Sequence, residues 1–142
     1  MDTPRTFQLT REITAEELQS TYQHVHHAKA ICILEEGRYG FLDEIGYPFQ
    51  GALDAGYLIV LTRLEVEYQR EITAGSLVVT CGNPRVKGKL LRLHQQIFNH
   101  RGKLAVSADV ELCFMAQSTR RGAPIPERFL ECVRSWQGGD LT

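Results

Sequence analysis

Three histidines at the start of a predicted helix are the residues of this chain best suited to chemistry. His24, His26 and His27 lie within four residues of one another, and the amphipathic pattern that follows them runs to about Asp43. Imidazole groups transfer protons near neutral pH. The first turn of a helix also carries free backbone N–H groups and a partial positive charge, so it can hold a developing oxyanion or a phosphate. The pattern therefore indicates acid–base chemistry; polar loop residues or structural hydrogen-bonding groups are the alternative interpretation.

Length and composition indicate a single domain, which we expect to span residues 1–142. A domain of this size removes roughly two-thirds of the surface of the unfolded chain from water. The 16 basic and 17 acidic residues are interspersed and give a net charge of −1, which argues against nucleic acid or a membrane surface as partner. The expected partner is a small molecule or another protein.

The cysteines and the N-terminal segment bear on the compartment. The four cysteines lie far apart and form no Cys-x-x-Cys pair, so we expect neither a metal site nor a disulfide framework but reduced packing residues. Residues 1–6 lack the apolar core of a secretion signal, and no later run reaches the roughly 18 apolar residues of a membrane span. The sequence therefore predicts a cytoplasmic protein with no membrane span.

Hydrophobic alternation predicts an antiparallel sheet. Asn99 to Gly102 suits a hairpin turn between the last two of its strands. The predicted strands cover residues 7–13, 57–68, 76–81, 90–98 and 104–116. Five strands of this kind provide one apolar face that a helix can cover.

Helical periodicity predicts one long helix and two short helical segments. The long helix begins near His27 and is ended by Gly46 and Pro48. A capping-box pattern predicts a helical turn at residues 14–17. An amphipathic helix over residues 127–133 follows a proline. The order of elements predicts an α+β fold in which one sheet wraps one buried helix.

Four stretches of the chain together carry a resemblance to a known family. They are His24-Val25-His26-His27-Ala28-Lys29-Ala30, Glu35-Glu36-Gly37-Arg38, the strand Tyr57–Tyr68, and the turn Thr73-Ala74-Gly75-Ser76. In order and spacing the chain resembles the hotdog-fold thioesterases of the 4-hydroxybenzoyl-CoA and acyl-CoA thioester hydrolase type, over residues 7–133. The resemblance implies the hotdog fold, a five-stranded antiparallel sheet curled around the long helix. It also implies homodimers or homotetramers whose active sites lie between subunits.

The resemblance suggests roles for two residues at the helix start. In this family a loop Asp four residues before the His-Val pair commonly activates water or attacks the thioester carbonyl, and Ser20 stands at that place. A hydroxyl without a neighbouring base is a poor nucleophile and cannot act as a carboxylate base. His27 stands where relatives polarise the carbonyl with a backbone N–H, a donor that contributes about 3 kcal/mol. We expect Ser20 to position the water, and His27 to act as base and oxyanion donor.

Other side chains are alternative sources of the missing base. His24 and His26 lie beside His27, whereas Gln23 stands where the family usually has Gly. Glu35 matches the family's mid-helix Glu-x-x-Arg together with Arg38, a pair that also suits a contact between helix and sheet. Two further carboxylates are weaker candidates. Glu17 suits a cap of its own turn, and Asp54 suits a solvated loop.

Coenzyme A carries a 3′-phosphate and a pyrophosphate, so its site should present Lys or Arg. Solvated turn charges are the alternative explanation of the same residues, and no cofactor is expected beyond the CoA of the substrate. The candidate CoA-binding residues are Arg85, Lys87, Lys89, Arg120 and Arg121.

Three functions remain open at the level of the sequence. The first is hydrolysis of an acyl-CoA or acyl-carrier-protein thioester; the second is a non-hydrolytic hotdog protein that binds acyl thioesters or a protein partner. The third is a dehydratase or hydratase acting on 3-hydroxyacyl thioesters. Aromatic residues suit either a pocket for aromatic acyl groups or the core and an interface: Tyr22, Phe41, Tyr47, Phe49 and Tyr57.

Overall fold

The computed structural model describes residues 5–142 and contains one antiparallel sheet. Residues 1–4, the first part of the segment considered for a secretion signal, lie outside the described residues. The strand order is β1-β3-β4-β5-β2, and β6 pairs with β5. The strands are β1 (Thr6–Ile13), β2 (Tyr57–Tyr68), β3 (Gly75–Lys87), β4 (Leu90–Phe98), β5 (Leu104–Ala116) and the two-residue β6 (Gly122–Ala123).

In the part of the chain that the structure describes, three helices accompany the sheet: α1 (His27–Ile45), α2 (Phe49–Asp54) and α3 (Glu127–Gln137). A 3-10 turn at Ala15–Glu17 precedes α1. Helix α1 ends at Gly46, whose φ of 87° is the left-handed conformation that favours glycine. Its buried residues recur every three or four positions and form one apolar stripe: Ala30, Ile33, Leu34, Gly37, Arg38, Phe41, Leu42 and Ile45.

The apolar stripe of α1 packs on one face of the sheet. A glycine allows the closest approach, because a Cβ atom at Gly37 would lie 2.6 Å from Cγ1 of Val79 on β3. The core continues through Leu93 and Ile97 of β4 to the buried residues of β5. At the far end of α1, Trp136 of α3 packs edge-to-face on Phe41, with ring centroids 5.2 Å apart. This packing fixes the direction in which α1 runs across the sheet.

The predicted α+β hotdog architecture is confirmed, with a long helix against an antiparallel sheet and a short C-terminal helix. The sheet has six strands rather than five, because the pair Gly122–Ala123 adds to β5. Within the described residues, no helix is long and apolar enough to cross a bilayer.

Three local predictions are corrected by the structure. Strand β3 continues past residue 81. A bulge lies between Gly82 and Arg85, where Asn83 has a left-handed conformation, and pairing with β4 resumes after it. The segment ending at Asp54 is helix α2 and not a loop. All four cysteines are free, but Cys32 is exposed on α1 and is not a packing residue.

Candidate active site

A cleft of about 470 Å³ lies at the start of α1. Its walls come from the segment that precedes α1, the first turn of α1, and the end of β2 with the residues that follow it. His24, His26 and His27 all line the cleft. The structure therefore brings the predicted histidine cluster together with the helix start around one cavity.

The histidines at the helix start differ in what they bond. His26 is the N-cap of α1, and its Nδ1 accepts a hydrogen bond of 3.1 Å from the backbone N–H of Ala28. That amide is therefore already paired. Among the described residues, the backbone N–H of His27 has no protein acceptor. Of the amides predicted to hold an oxyanion, the one on His27 is thus available to a ligand.

Tyr68 connects the end of β2 to the first turn of α1. Its hydroxyl donates a hydrogen bond of 2.9 Å to the backbone carbonyl of His27. Its ring meets the imidazole of His27 edge-on, with centroids 6.4 Å apart. Partial desolvation raises the pKa of Tyr68, so the hydroxyl remains a donor at neutral pH. Tyr68 therefore holds the peptide group that follows His27, in the same first turn of α1.

A carboxylate that the sequence patterns do not identify also lines the cleft. Oε2 of Glu71 lies 3.4 Å from Nδ1 of His24. The two residues are 47 positions apart, and no short motif contains both. The fold brings the two residues together. The backbone N–H of Val25 donates a hydrogen bond of 2.8 Å to the carbonyl of Ile72, which places the neighbouring residues His24 and Glu71 side by side.

The segment before α1 is tied to the helix by an ion-pair cluster. Glu17 lies 2.7 Å from the guanidinium of Arg11 and 3.9 Å from the ammonium of Lys29 on the first turn of α1. Its other oxygen accepts from the backbone N–H of Thr14 at 3.3 Å, which confirms that Glu17 caps its own turn. The hydrogen bond from Arg11 holds the pKa of Glu17 below its usual range. Glu17 thus stabilises the entry to the site.

Ser20 is exposed and is not among the residues that line the cleft. Its backbone carbonyl accepts a hydrogen bond of 2.7 Å from the side-chain amide of Gln23. Gln23 has a φ of 57°, in the left-handed region that glycine adopts without steric cost. The side-chain hydrogen bond compensates part of that cost. The role of Ser20 in positioning a water molecule therefore stays a prediction.

Glu35 and Arg38 lie away from the cleft. Glu35 is exposed in the middle of α1. Arg38 is only 8% exposed and donates a hydrogen bond of 3.1 Å to Oε1 of Gln95 on β4. Burial lowers the pKa of Arg38. The contact between helix and sheet that the sequence allowed for this pair is thus made by Arg38 alone.

The five predicted CoA-binding residues lie at the other end of the sheet. The cleft adjoins Tyr68, which pairs with Val106 on β5, whereas β6 pairs with Phe114 and Met115. Val106 and Phe114 are about 26 Å apart along β5 at about 3.3 Å per residue. Exposed side chains at or near that far end are Arg85, Lys87, Lys89, Arg120 and Arg121. Within one copy of the chain, none of them lines the cleft.

Aromatic residues divide between the cleft and the core. Tyr22 is 66% exposed, lines the cleft and stacks on His24 with centroids 5.4 Å apart. Phe41 and Tyr47 are buried core residues.

Arg70 also lines the cleft, and its guanidinium donates to the carbonyl of Leu104 at 2.8 Å. Within residues 5–142, no group of His, Cys, Asp and Glu side chains is arranged to hold a metal ion.

A family model named Thioesterase-like superfamily matches residues 13–133. The chain belongs to this superfamily. The matched residues include every side chain that lines the cleft, and the resemblance to hotdog thioesterases noted in the sequence is confirmed. None of the curated proteins matches the sequence significantly.

Solved structures of similar fold include proteins named for CoA. The hypothetical protein SAV2348 of Staphylococcus aureus, solved in complex with CoA, is 22% identical with a TM-score of 0.85, covering 100% of this chain and 90% of that one. The DHNA-CoA thioesterase of the same organism is 18% identical, with a TM-score of 0.84 and coverage of 94% and 91%. The 1,4-dihydroxy-2-naphthoyl-CoA thioesterase Slr0204 of Synechocystis is 15% identical, with a TM-score of 0.80 and coverage of 91% and 96%. At these identities the likeness concerns the fold.

Proposed function

We propose that this protein hydrolyses acyl thioesters of coenzyme A or of an acyl carrier protein, in the cleft at the start of α1. The observation that carries the proposal is that His27, whose backbone N–H has no acceptor among the described residues, lines that cleft together with His24 and His26. A preorganised amide at a helix start stabilises an oxyanion, and imidazole moves the proton that thioester hydrolysis requires. Membership of the Thioesterase-like superfamily supports the same reaction.

The reaction consumes one water molecule. Its oxygen bonds to the thioester carbonyl carbon while one of its protons passes to an imidazole. The carbonyl electron pair moves onto oxygen, and the oxyanion accepts a hydrogen bond from His27 N–H. The carbonyl then re-forms, the C–S bond breaks, and the thiolate takes the proton from the imidazolium. The products are a carboxylic acid, which ionises in solvent, and a free thiol.

The histidines are assigned different parts in this proposal. His26 uses Nδ1 to cap the helix, so that nitrogen does not accept a proton while the cap is intact. His27 provides the backbone N–H, and among the described residues no hydrogen-bonding partner orients its ring. His24 has a carboxylate beside Nδ1. We therefore assign the proton transfer to His24, in place of the role that the sequence suggested for the His27 side chain.

A second copy of the chain completes the CoA site in this proposal. Among residues 5–142, strand β2 is an edge of the sheet, since it pairs with β5 on one side and with no strand on the other. An unpaired edge is a template for another strand. Antiparallel pairing of two β2 edges would set the Tyr57 end of one copy beside the Tyr68 end of the other. The basic residues near β6 of one copy would then lie near the cleft of its partner.

The first prediction is that the wild-type protein releases free CoA from acyl-CoA thioesters. A panel of aliphatic and aromatic acyl-CoAs is incubated with the protein, and the liberated thiol is measured with a thiol reagent. Binding of acyl-CoA without release would instead support the non-hydrolytic alternative. Addition of water to an enoyl-CoA, followed by its ultraviolet absorbance, would identify a hydratase.

The second prediction concerns the phosphates of CoA. Replacing Arg120 and Arg121 together with alanine should raise KM for an acyl-CoA by about tenfold, because an exposed ion pair contributes up to about 1 kcal/mol and about 1.4 kcal/mol corresponds to a factor of ten. KM for the matching acyl-pantetheine thioester, which has neither 3′-phosphate nor pyrophosphate, should stay unchanged. Arg128→Ala, an exposed arginine on α3, is the control. An equal rise of KM for both substrates would contradict the phosphate assignment.

A further inference from the structure

We infer that Glu71 is the carboxylate that this chain uses in place of the acid missing at Ser20, and that it acts as a positioning residue through His24. The inference rests on the proposed thioesterase function and assigns one further residue to that site. Oε2 of Glu71 and Nδ1 of His24 are 3.4 Å apart, and both residues line the cleft that contains His27.

The backbone holds this pair in place. Val25 N–H donates to the carbonyl of Ile72 at 2.8 Å, and both of these side chains are buried. His24 is fixed from its other side, since its carbonyl accepts from the N–H of Gln19 at 2.8 Å. Two chain segments distant in sequence are thus joined at the residues next to His24 and Glu71. The juxtaposition is built by the fold and does not depend on the two side chains alone.

The residues before Glu71 are fixed to the sheet as well. The backbone N–H groups of Gln69 and Arg70 donate to the carbonyl of Ala105, at 2.7 and 3.2 Å. The side chain of Arg70 donates to the carbonyl of Leu104. A positioning carboxylate requires a backbone that keeps it at a constant distance from the imidazole. The segment from Gln69 to Ile72 meets this requirement.

A carboxylate beside Nδ1 has a defined effect on an imidazole. With the hydrogen on Nδ1, that nitrogen donates to Glu71 and the lone pair on Nε2 is left to accept a proton from water. The carboxylate then stabilises the imidazolium that forms and fixes the tautomer. His24 is the group that takes the proton, so Glu71 touches neither water nor substrate.

The surroundings of the pair permit this role. The side chain of His24 is 32% exposed and that of Glu71 is 64% exposed. Tyr22 stacks on one face of the His24 ring, with centroids 5.4 Å apart. The other titratable or charged groups around the cleft are His26, His27, Tyr68 and Arg70. Glu71 is the one carboxylate among the described residues that line the cleft.

The third prediction tests the inference by a double-mutant cycle. Glu71→Gln keeps the size of the side chain and removes its charge, and it should lower kcat for an acyl-CoA about tenfold with KM unchanged. His24→Gln should lower kcat by about 10²-fold, the usual contribution of a general base. In the His24→Gln background, Glu71→Gln should cause no further loss, because groups that act as a unit are not additive. Glu71→Asp, with its charge retained on a shorter side chain, should recover part of the activity.

Controls separate this inference from the proposed function. Glu131→Gln, on an exposed carboxylate of α3 that does not line the cleft, should leave kcat unchanged, and thermal unfolding should confirm that every variant folds. Wild-type kcat in Glu71→Gln, or an equal loss from Glu71→Gln in both backgrounds, would overturn the inference while leaving thioesterase activity intact. An inactive wild type would overturn the proposed function, and the inference with it.

Discussion

Replacing His27 with proline should lower kcat for an acyl-CoA by about 10²- to 10³-fold relative to His27→Ala, the loss seen when one oxyanion donor is removed. Both variants lack the imidazole, but only proline lacks the backbone N–H. The comparison therefore isolates the amide of His27 from its side chain. The measurement is steady-state hydrolysis of the best acyl-CoA of the panel by the two variants and the wild type.

The helix should tolerate this substitution. His27 is the first residue of α1, the position at which proline is favoured because its missing N–H has no partner within the helix. The preceding residue must avoid the helical conformation, and His26 already has φ of −64° and ψ of 145°. Unfolding temperatures of the two variants should therefore agree to within a few degrees.

Two outcomes of that comparison would contradict the assignment. Equal kcat in His27→Pro and His27→Ala would mean that the amide does not hold the oxyanion. A loss of about 10²-fold in His27→Ala alone, with no further loss in His27→Pro, would return the proton transfer to the His27 ring. The expected result is instead that His27→Ala stays within about tenfold of the wild type, because His24 is assigned that step.

The assignment of separate tasks to neighbouring histidines follows from their bonds. The ring of His26 pairs the Ala28 amide, whereas the adjacent amide of His27 has no acceptor among the described residues. The hydroxyl of Tyr68 fixes the His27 carbonyl from the side of β2. The helix start is thus held by residues on both sides of the cleft, and a preorganised donor requires this kind of support.

Periodicity predicted most elements of the fold, and its failures have local causes. The strands Tyr57–Tyr68 and Leu104–Ala116 have the predicted bounds because neither contains a glycine or proline that would interrupt its apolar pattern. Strand β3 was predicted too short because Asn83 and Pro84 interrupt the alternation, while the bulge there lets pairing continue. Helix α2 has only six residues, fewer than two turns, so no helical period is visible in its sequence.

The site was predictable only where it is local in sequence. The helix start and the histidines form one continuous segment, and the sequence predicted their common position. Glu71 was missed because its proximity to His24 depends on the pairing of Val25 with Ile72. The place of the basic residues relative to the cleft depends on the direction of β5 and, in the proposed function, on pairing with a second copy, which no local pattern contains.

The second large effect concerns the middle of α1, where a buried cation depends on one glutamine. Nη1 of Arg38 donates to Oε1 of Gln95, while Nε2 of Gln95 donates to the carbonyls of Leu34 and Thr80 at 2.9 and 3.3 Å. Gln95 is fully buried. Gln95→Leu removes all three hydrogen bonds. The buried guanidinium of Arg38 then loses its bond to Gln95, and the carbonyls of Leu34 and Thr80 lose theirs. We expect the free energy of unfolding to fall by about 3 kcal/mol, measured by chemical denaturation.

The neighbouring residue offers a matched control for this prediction. Gln96 lies next to Gln95 on β4 with its side chain on the opposite, partly exposed face, so Gln96→Leu should change stability by less than about 1 kcal/mol. The double variant Arg38→Met with Gln95→Leu should recover much of the loss, because it no longer buries an uncompensated charge. A double variant less stable than Gln95→Leu would mean that Arg38 stabilises the fold by packing alone. Because the same network joins α1 to both β3 and β4, its loss should also loosen the helix whose first turn carries the His27 amide.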